Sequence, residues 1–268
     1  MSRAARRVVV SGVGLAVLLL ASDLALAQAK PELPKTLFLP IGKGVKMDFV
    51  LIPPGTFTMG SEMPWSKPAH EVTISKPFYL GVYEVTQAQW KALLVDNPSN
   101  SRGDNLPVEN VSWEDCQTFL AQLNEMFGGV FTFRLPTEAE WEYACRAGSK
   151  TIYTFGNDRA TFKEYAWYNE NSENKTHPVG QKKPNAWGLY DMHGNVSEFC
   201  ADWYERYYLA AAATDPTGPT TGTVRILRGG SWLDKPWYCR SAGRLCQAPS
   251  VRRANTGLRV VCIQGEPR

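Results

Sequence analysis

Two carboxylates, Asp191 and Glu198, stand seven positions apart on either side of a glycine in the stretch Asp-Met-His-Gly-Asn-Val-Ser-Glu. Carboxylate oxygens on a chain that bends at glycine are hard ligands, and Ca2+ takes about six to eight such oxygens. The stretch therefore predicts a calcium loop. An alternative pairs Glu198 with an arginine and leaves Asp191 to cap a turn.

The cysteines and histidines offer little else for metal or nucleophilic chemistry. The six cysteines contain no CxxC pair, so their spacing matches no structural zinc pattern. The three histidines, His70, His177 and His193, lie far apart in the sequence. We therefore do not expect a zinc centre or a Ser-His-Asp hydrolase. An even cysteine count is typical of disulfides in an exported chain.

Residues 1–27 have the order of a secretory signal peptide: basic residues, then the apolar run Val8–Ala21, then small residues ending at Ala27. Cleavage before Gln28 predicts a periplasmic or secreted protein. An uncleaved anchor helix is the alternative, but the run is short for the roughly 20 residues of a span. No other stretch approaches that length, so we expect no membrane span after cleavage.

The charge is nearly balanced, with 29 Lys and Arg against 26 Asp and Glu. Without the leader residues Arg3, Arg6, Arg7 and Asp23, 26 cations face 25 acids. This balance argues against a protein that binds nucleic acid or an anionic membrane surface. The content of 44% hydrophobic residues, 22 Gly and 18 Pro excludes disorder and collagen. We expect one domain over 46–265, preceded by a linker or edge segment at 28–45.

Local patterns place several elements along this domain. Met47–Ser61 is apolar on both sides of a Pro-Pro-Gly break and predicts a hairpin, and His70–Val85 predicts two more strands. Capping signals at Thr86, Ser112 and Thr137 predict three helices. The second of these helices ends near Phe127, at a Gly-Gly pair. The stretch 151–228 has few periodic segments, so packing, disulfides or ions must order it.

The chain resembles the formylglycine-generating enzyme family, also called sulfatase-modifying factors, through strings in the family's order: VLIPPGTFTMGS, FYLGVYEVTQAQW, LPVENVSWEDC, FRLPTEAEWEYACRAG, NAWGLYDMHGNVSEFCADWY, RILRGGSW and NTGLRVV. This resemblance spans essentially the whole mature chain. It implies an α+β fold, a variant of the C-type lectin type, with little regular secondary structure in a single domain.

The family's enzymes oxidise a cysteine of an unfolded sulfatase to formylglycine, with O2 and a copper ion held by two cysteines that follow the RGGS motif. Here the first of these positions is Asp234. Counting forward from Ser231 puts Cys239 at the second position. Counting back from Arg240 makes the connecting segment three residues shorter than in the enzymes and puts Cys239 outside the site. A hard carboxylate does not suit Cu(I), so we do not expect copper.

Three residues remain as catalytic candidates by this resemblance: Ser231, Asp234 and Cys239. Ser231 matches the family's active-site serine, although a turn serine bonded to the backbone is an equal interpretation. A tryptophan that borders the active site in the enzymes is replaced by Ser197, and a second tryptophan of the same motif by Phe199.

The resemblance also implies the metal ligands and the disulfides. One calcium would be bound by the side chains of Asp191 and Glu198 and by the backbone carbonyls of Gly194 and Val196. A calcium here would be structural. For the cysteines it implies three pairings, which are Cys116 with Cys262, Cys145 with Cys239 or Cys246, and Cys200 with Cys239 as an alternative. A free Cys239 is the remaining possibility.

Most tryptophans stand in family motifs, where core packing accounts for them. Trp65, Trp167 and Trp237 are less constrained and could line a surface groove for carbohydrate. The three histidines stand within or beside motif strings and are interpreted as structural.

Three functions follow from these departures. The first is a non-copper family member that acts as a calcium-stabilised periplasmic binding or regulatory protein, with a protein partner and a role such as a secretion-system accessory. The second is an atypical O2-dependent oxidase, as in siderophore maturation. The third is a cysteine oxidase with a rebuilt metal site. The sequence alone does not decide whether catalysis survives.

Overall fold

A computed structural model describes residues 33–265. The predicted signal peptide lies outside the described residues. The strands are β1 (Thr36–Pro40), β2 (Lys46–Ile52), β3 (Gly55–Met59), β4 (His70–Ile74), β5 (Phe78–Gly81), β6 (Phe131–Arg134), β7 (Ser197–Trp203), β8 (Ala213–Thr214), β9 (Arg225–Arg228), β10 (Leu245–Gln247), β11 (Thr256–Gly257) and β12 (Val261–Gln264). The helices are α1 (Gln87–Leu93), α2 (Trp113–Phe127), α3 (Glu138–Arg146) and α4 (Phe162–Tyr165), with a 3-10 turn at Arg159–Thr161.

These strands form three sheets. The largest has the order β1-β2-β5-β12-β6, a second has the order β10-β9-β7-β11, and the third has the order β3-β4-β8. The described part of the segment 28–45 contains β1, which is an edge strand of the largest sheet. The strand β12 lies between β5 and β6 and is antiparallel to both.

The predicted hairpin over Met47–Ser61 is wrong. Both of its strands form, but β2 pairs with β1 and β5, whereas β3 pairs with β4 in a different sheet. Proline removes backbone donors and fixes the chain direction, so the Pro-Pro pair between the two strands carries the chain from one sheet into the next. The two strands predicted within His70–Val85 are confirmed as β4 and β5.

The three predicted helix starts are confirmed. At Thr86, Ser112 and Thr137 the side chain accepts a hydrogen bond from the third helical amide, and the third side chain bonds back to the cap. The helix α2 ends at Phe127 because Gly128 takes a left-handed conformation. These capping bonds are local, which is why the sequence pattern alone locates them.

A buried ion pair connects α3 to β9 and to the segment that follows β9. Arg228, at the end of β9, bonds Glu142 of α3 and donates to the backbone carbonyls of Ser241 and Gly243. Both charged side chains are completely buried. Trp141 of α3 is also fully buried and donates to Glu198 over 2.6 Å. The helix α3 thus ties together β7, β9 and the segment that follows β9.

Within the stretch 151–228, the chain before β7 is largely irregular, as the pattern predicts, whereas β7, β8 and β9 are regular strands that the pattern did not predict. In the described part of the chain, no helix combines the length and the apolar content that a membrane crossing requires.

Candidate functional site

The turn after β9 presents Ser231 and depends on two glycines. Gly229 and Gly230 have φ of +91° and +68°, which L side chains rarely adopt. A Cβ on Gly230 would lie 2.5 Å from Sγ of Cys239. The turn therefore packs directly against Cys239, and only glycine permits that approach.

Ser231 is fully buried and fully bonded. Its hydroxyl donates to Oδ2 of Asp234 over 2.5 Å and accepts from Nδ2 of Asn255 over 3.0 Å. The amide of Leu233 also approaches the hydroxyl, at 3.3 Å. The turn-serine interpretation is therefore incomplete, because the main partners of Ser231 are two side chains.

Asp234 stands at the first copper-cysteine position and is only partly exposed. Its burial raises the pKa of the carboxyl above the ordinary value, although the hydrogen bonds from Ser231 act in the opposite direction. Its backbone carbonyl accepts from the amide of Asn169 over 3.1 Å. The carboxylate of Asp234 thus accepts a hydrogen bond from Ser231 and is partly exposed. Such surroundings suit a group that takes up or releases a proton.

Cys239 lies close to Ser231 and Asp234, because a Cβ on Gly230 would lie 2.5 Å from its Sγ and the Asp234 charge acts on its thiol. It is completely buried, in a cluster with Tyr153, Phe162 and other aromatic residues. Burial, and then the nearby Asp234 charge, raise the pKa of the thiol well above its ordinary value. A thiol that stays protonated is neither a nucleophile nor a metal ligand.

Two further polar residues complete the site. The Oγ of Ser197, which replaces a family tryptophan, and the Oδ1 of Asn169 are buried and have no hydrogen-bond partner among residues 33–265. Asn255 joins Ser197 to Ser231, because its carbonyl accepts from the Ser197 amide while its side chain reaches the Ser231 hydroxyl. Buried unpaired oxygens are costly, and here they indicate a place for water or a ligand.

The residues do not fit the family's copper ion. Cu(I) needs two soft thiolates, and this site offers the Asp234 carboxylate and one neutral, buried thiol. Within residues 33–265, no group of three or more His, Cys, Asp or Glu side chains is arranged to hold a metal ion.

In the predicted calcium loop, one carboxylate oxygen of Asp191 is available to a cation, whereas the carboxylate of Glu198 is already bound by other side chains. Oδ1 of Asp191 is buried without a hydrogen-bond partner among the described residues, whereas Oδ2 accepts from the amide of Gly180 over 2.7 Å. Burial raises the pKa of this carboxyl to about 6. Glu198 instead accepts from Arg259 at 2.7–3.0 Å and from Trp141. The arginine alternative for Glu198 is thus the observed contact.

The predicted backbone ligands Gly194 and Val196 lie in the same loop. A residue that the sequence analysis did not identify, Glu84, holds this loop in place. Glu84, just after β5, accepts from the amide of Val196 over 2.9 Å and from the side chain of Asn195 over 2.7 Å. It is buried, and burial together with the Asp191 and Glu198 charges raises its pKa well above the ordinary value. Its place in the FYLGVYEV string was the available signal.

The predicted disulfides are not present, since all six cysteines are free. This corrects the pairings Cys116–Cys262, Cys145 with Cys239 or Cys246, and Cys200–Cys239. Burial raises the pKa of Cys145 to about 12, and its thiol lies 3.8 Å from the carbonyl of Met192 and 3.9 Å from Nε2 of His193. Five of the six are buried and pack as small apolar side chains.

The three less constrained tryptophans do not share one surface. Trp65 and Trp237 face a common groove, whereas Trp167 stacks on His177 with the ring centroids 3.7 Å apart. Lys182 lies over the Trp167 ring at 3.6 Å. His193 is buried. Its Nε2 accepts from the amide of Thr154 and its Nδ1 donates to the carbonyl of Cys239, which agrees with a structural role.

Comparison with known proteins gives the family. Residues 40–263 match the family described as the sulfatase-modifying factor enzyme 1-like domain. The chain belongs to the sulfatase-modifying factor family. The formylglycine-generating enzyme of Thermomonospora curvata is 38% identical over 196 residues, which are 65% of this chain and 61% of that enzyme. The alignment thus spans less than two thirds of that curated relative.

Two other similar proteins carry names other than formylglycine-generating enzyme. Chaperone protein LppX of Paenibacillus barcinonensis is 33% identical over 238 residues, covering 70% of this chain and 80% of that protein. The structure of PvdO from Pseudomonas aeruginosa superimposes with a TM-score of 0.76 at 30% identity, over 87% of this chain and 99% of that one. The predicted single-domain α+β fold of the sulfatase-modifying factor family is confirmed.

Proposed function

We propose that this protein is an exported binding or regulatory member of the sulfatase-modifying factor family, which contacts a protein partner through the surface around Ser231 and Asp234. In this proposal the partner is met in the periplasm, and no oxidation by copper takes place. Nucleic acid and anionic membrane surfaces are not its ligands, because the charge of the mature chain is close to balanced.

One observation carries the proposal: Asp234 stands where the enzymes have a copper cysteine, and Ser231 donates to it. A carboxyl committed to a serine hydroxyl is a rigid polar contact, whereas the neighbouring Cys239 is a neutral thiol without solvent exposure. The site keeps the RGGS sequence at 228–231 without the soft ligand pair. The name of the chaperone relative LppX also favours a binding role.

Copper binding and peptide oxidation test the negative half of the proposal. Purified protein is titrated with Cu(I) against a chromophoric chelator, and a Cys-x-Pro-x-Arg peptide is incubated with it under O2 and analysed by mass spectrometry. We expect no stoichiometric Cu(I) binding and no aldehyde. Stoichiometric Cu(I) together with the aldehyde product would show instead that the metal site has been rebuilt and that the proposal is wrong.

Site-specific photo-crosslinking tests the positive half. A crosslinking residue replaces Leu233, which is 55% exposed and adjoins Asp234, and the control replaces Val95, which is 97% exposed after α1. We expect a discrete adduct in periplasm from Leu233 only, and its loss in an Asp234→Ala background whose melting temperature is unchanged. Equal adducts at both positions would contradict a specific contact surface.

A structural calcium is the second part of the proposal. Asp191 supplies the free carboxylate oxygen, and the carbonyls of Gly194 and Val196 are further ligands that the resemblance implies. Glu198, the remaining ligand that it implies, is bound by Arg259 and Trp141 in this structure. The support for it is the buried, unpaired Oδ1 of Asp191. Chelated protein should gain several degrees of melting temperature on adding CaCl2, and Asp191→Asn should abolish the gain. An unchanged melting temperature in the wild type would count against calcium.

An atypical O2-dependent oxidase is the second candidate, acting in siderophore maturation or on a cysteine. The partly exposed Asp234 carboxyl, with its raised pKa, favours it because such a group can move a proton during oxidation. Substrate oxidation coupled to reduction of O2 to hydrogen peroxide is measured with an oxygen electrode and a peroxidase assay. Consumption of O2 that Asp234→Asn abolishes would favour this candidate over the binding role.

A further inference from the structure

A second surface, whose lining contains neither Ser231 nor Asp234, has the composition of a binding site. A groove of about 410 Å3 runs between the loop that joins β3 to β4 and the chain from residue 237 into β10. This volume falls within the range of about 300–1,000 Å3 that ligand sites occupy. Its aromatic lining consists of Trp65, Tyr204, Trp237 and Tyr238.

The aromatic side chains of this groove are unusually open to solvent. Trp65 is 55% exposed, Trp237 50% and Tyr238 46%. Large aromatic rings gain from burial, and a cluster of them at the surface marks a place where something else covers them. Trp65 also has a positive φ of +68°, which a bulky residue rarely adopts. Its backbone carbonyl accepts from Nη1 of Arg244 over 3.2 Å, which ties the loop to the opposite side of the groove.

The groove also contains a buried arginine without an acidic partner. Arg240 is 7% exposed, and its Nε donates to the carbonyl of Trp237 over 2.7 Å. Of its two terminal nitrogens, Nη1 meets only the thioether of Met63, a weak acceptor, and neither meets an oxygen among the described residues. Burial lowers the pKa of Arg240, and its guanidinium carbon lies 3.8 Å from the centroid of the Trp237 ring, which holds the group beside the exposed aromatic side chains.

The neighbouring Arg244 shows the difference. It lies in the same groove, but it donates to both carboxylate oxygens of Glu138 at 2.6 and 3.0 Å. The charge of Arg244 is therefore neutralised within the fold, and the guanidinium of Arg240 keeps its bidentate capacity for a carboxylate from outside.

We propose that this groove binds an acidic segment of a polypeptide, with an Asp or Glu carboxylate on Arg240 and an adjacent apolar or aromatic side chain against Trp65 and Trp237. Trp, Tyr and Arg are the residues that carry most binding energy in protein interfaces. The unpaired guanidinium selects for a carboxylate. Neither Ser231 nor Asp234 lines the groove, so this inference can be tested independently of the proposed function.

Selection from a displayed library of random peptides on the purified, full-length mature protein tests it. We expect enrichment of peptides with Asp or Glu next to an aromatic residue. The enriched peptide is then synthesised with a fluorophore, and its affinity is measured by anisotropy beside a twin in which Gln replaces Glu. The twin should bind roughly 30-fold more weakly, because it leaves Arg240 without its counter-charge.

Variants place the peptide in the groove. Trp237→Ala, at an exposed position, should weaken binding roughly 30-fold, whereas Phe38→Ala, an equally exposed aromatic on β1, should leave it unchanged. Arg240→Lys keeps a positive charge and the fold while removing the bidentate contact, and it should weaken binding several-fold. Bound peptide should also slow the reaction of Cys246, the exposed cysteine that lines the groove, with Ellman's reagent.

Three results overturn the inference. The library gives no acidic consensus, or the Glu and Gln peptides bind equally, or Trp237→Ala and Phe38→Ala have the same effect. Tighter binding of a galacturonate oligosaccharide than of any selected peptide would assign the groove to acidic sugars instead. Peptide binding without a crosslinked adduct at Leu233 would contradict the proposed function alone, which keeps failure here distinct from failure of the proposed function.

Discussion

The hydroxyl of Ser231 stands between the Asp234 carboxylate, to which it donates, and the Asn255 amide, from which it accepts. Ser231→Ala should lower the free energy of unfolding by about 1–3 kcal/mol, because it leaves buried polar groups without partners. Denaturant unfolding measures the change. The control is Ser75→Ala, since Ser75 also donates to an aspartate, Asp215, but at an exposed position. Equal costs for the two variants would mean that the Ser231 hydrogen bonds contribute no more than a surface contact.

The close approach of Gly230 to Cys239 gives a second prediction. Gly230→Ala should destabilise the fold by about 1–3 kcal/mol more than Gly188→Ala. Both glycines have positive φ, at +68° and +81°, but a Cβ on Gly188 meets nothing within 4 Å. The difference between their unfolding free energies therefore isolates the contact with the Cys239 sulfur. A difference near zero would show that this turn can shift away from the thiol.

Thiol titration checks the state of the cysteines. Unreduced protein, denatured under argon, should show six reactive thiols per chain, since all six are free. The native protein should show one fast thiol, Cys246, because the other five are buried. Cys246→Ser should remove that fast reaction. Two or fewer thiols in the denatured sample would restore the predicted disulfides.

Asp202 on β7 makes stability depend on pH. Burial, and then the charge of Glu138, raise its pKa to about 7, while Glu140 acts in the same direction and Arg225 is the nearby cation. A raised pKa in the fold favours the protonated state, so the contribution of Asp202 is fully present below the ordinary aspartate range and is lost as the pH rises through about 7.

Melting curves of wild type and Asp202→Asn from pH 5 to 8.5 measure this effect. The variant is neutral at every pH and can still accept from the Glu138 amide, which now bonds Oδ2 of Asp202 over 2.9 Å. Its stability relative to wild type should rise from pH 5 and level off above about pH 7, by roughly 3 kcal/mol over this range. Parallel curves would mean that Asp202 titrates normally in the fold.

The sequence was most informative where the interaction is local. The capping boxes at Thr86, Ser112 and Thr137 each close within four residues, so their pattern predicts them directly. Whether β2 and β3 pair depends on partners elsewhere in the chain, and the hairpin prediction failed for that reason. An alternating pattern predicts a strand but not its partner, because such a strand can pair in either sheet.

The site shows the same limit. The spacing after the RGGS turn located Asp234, but the position of Cys239 depended on a shortened loop that counting alone could not resolve. The roles of Glu84 and Asn255 depend on contacts over long chain separations, as in the bond from Asn195 to Glu84, and no local rule identifies them. Their membership in recognisable motif strings was the only signal.

The position of β12 has a consequence for how the protein is made. Residues Val261–Gln264 lie between β5 and β6, which are formed from residues 78–81 and 131–134. Until residue 264 has left the ribosome, β5 and β6 lack the strand that joins them, so the largest sheet is divided into β1-β2-β5 and an unpaired β6. Such long-range closure is slow and exposes strand edges to other chains. The facing edges of β5 and β6 are therefore open to other chains until β12 has been made.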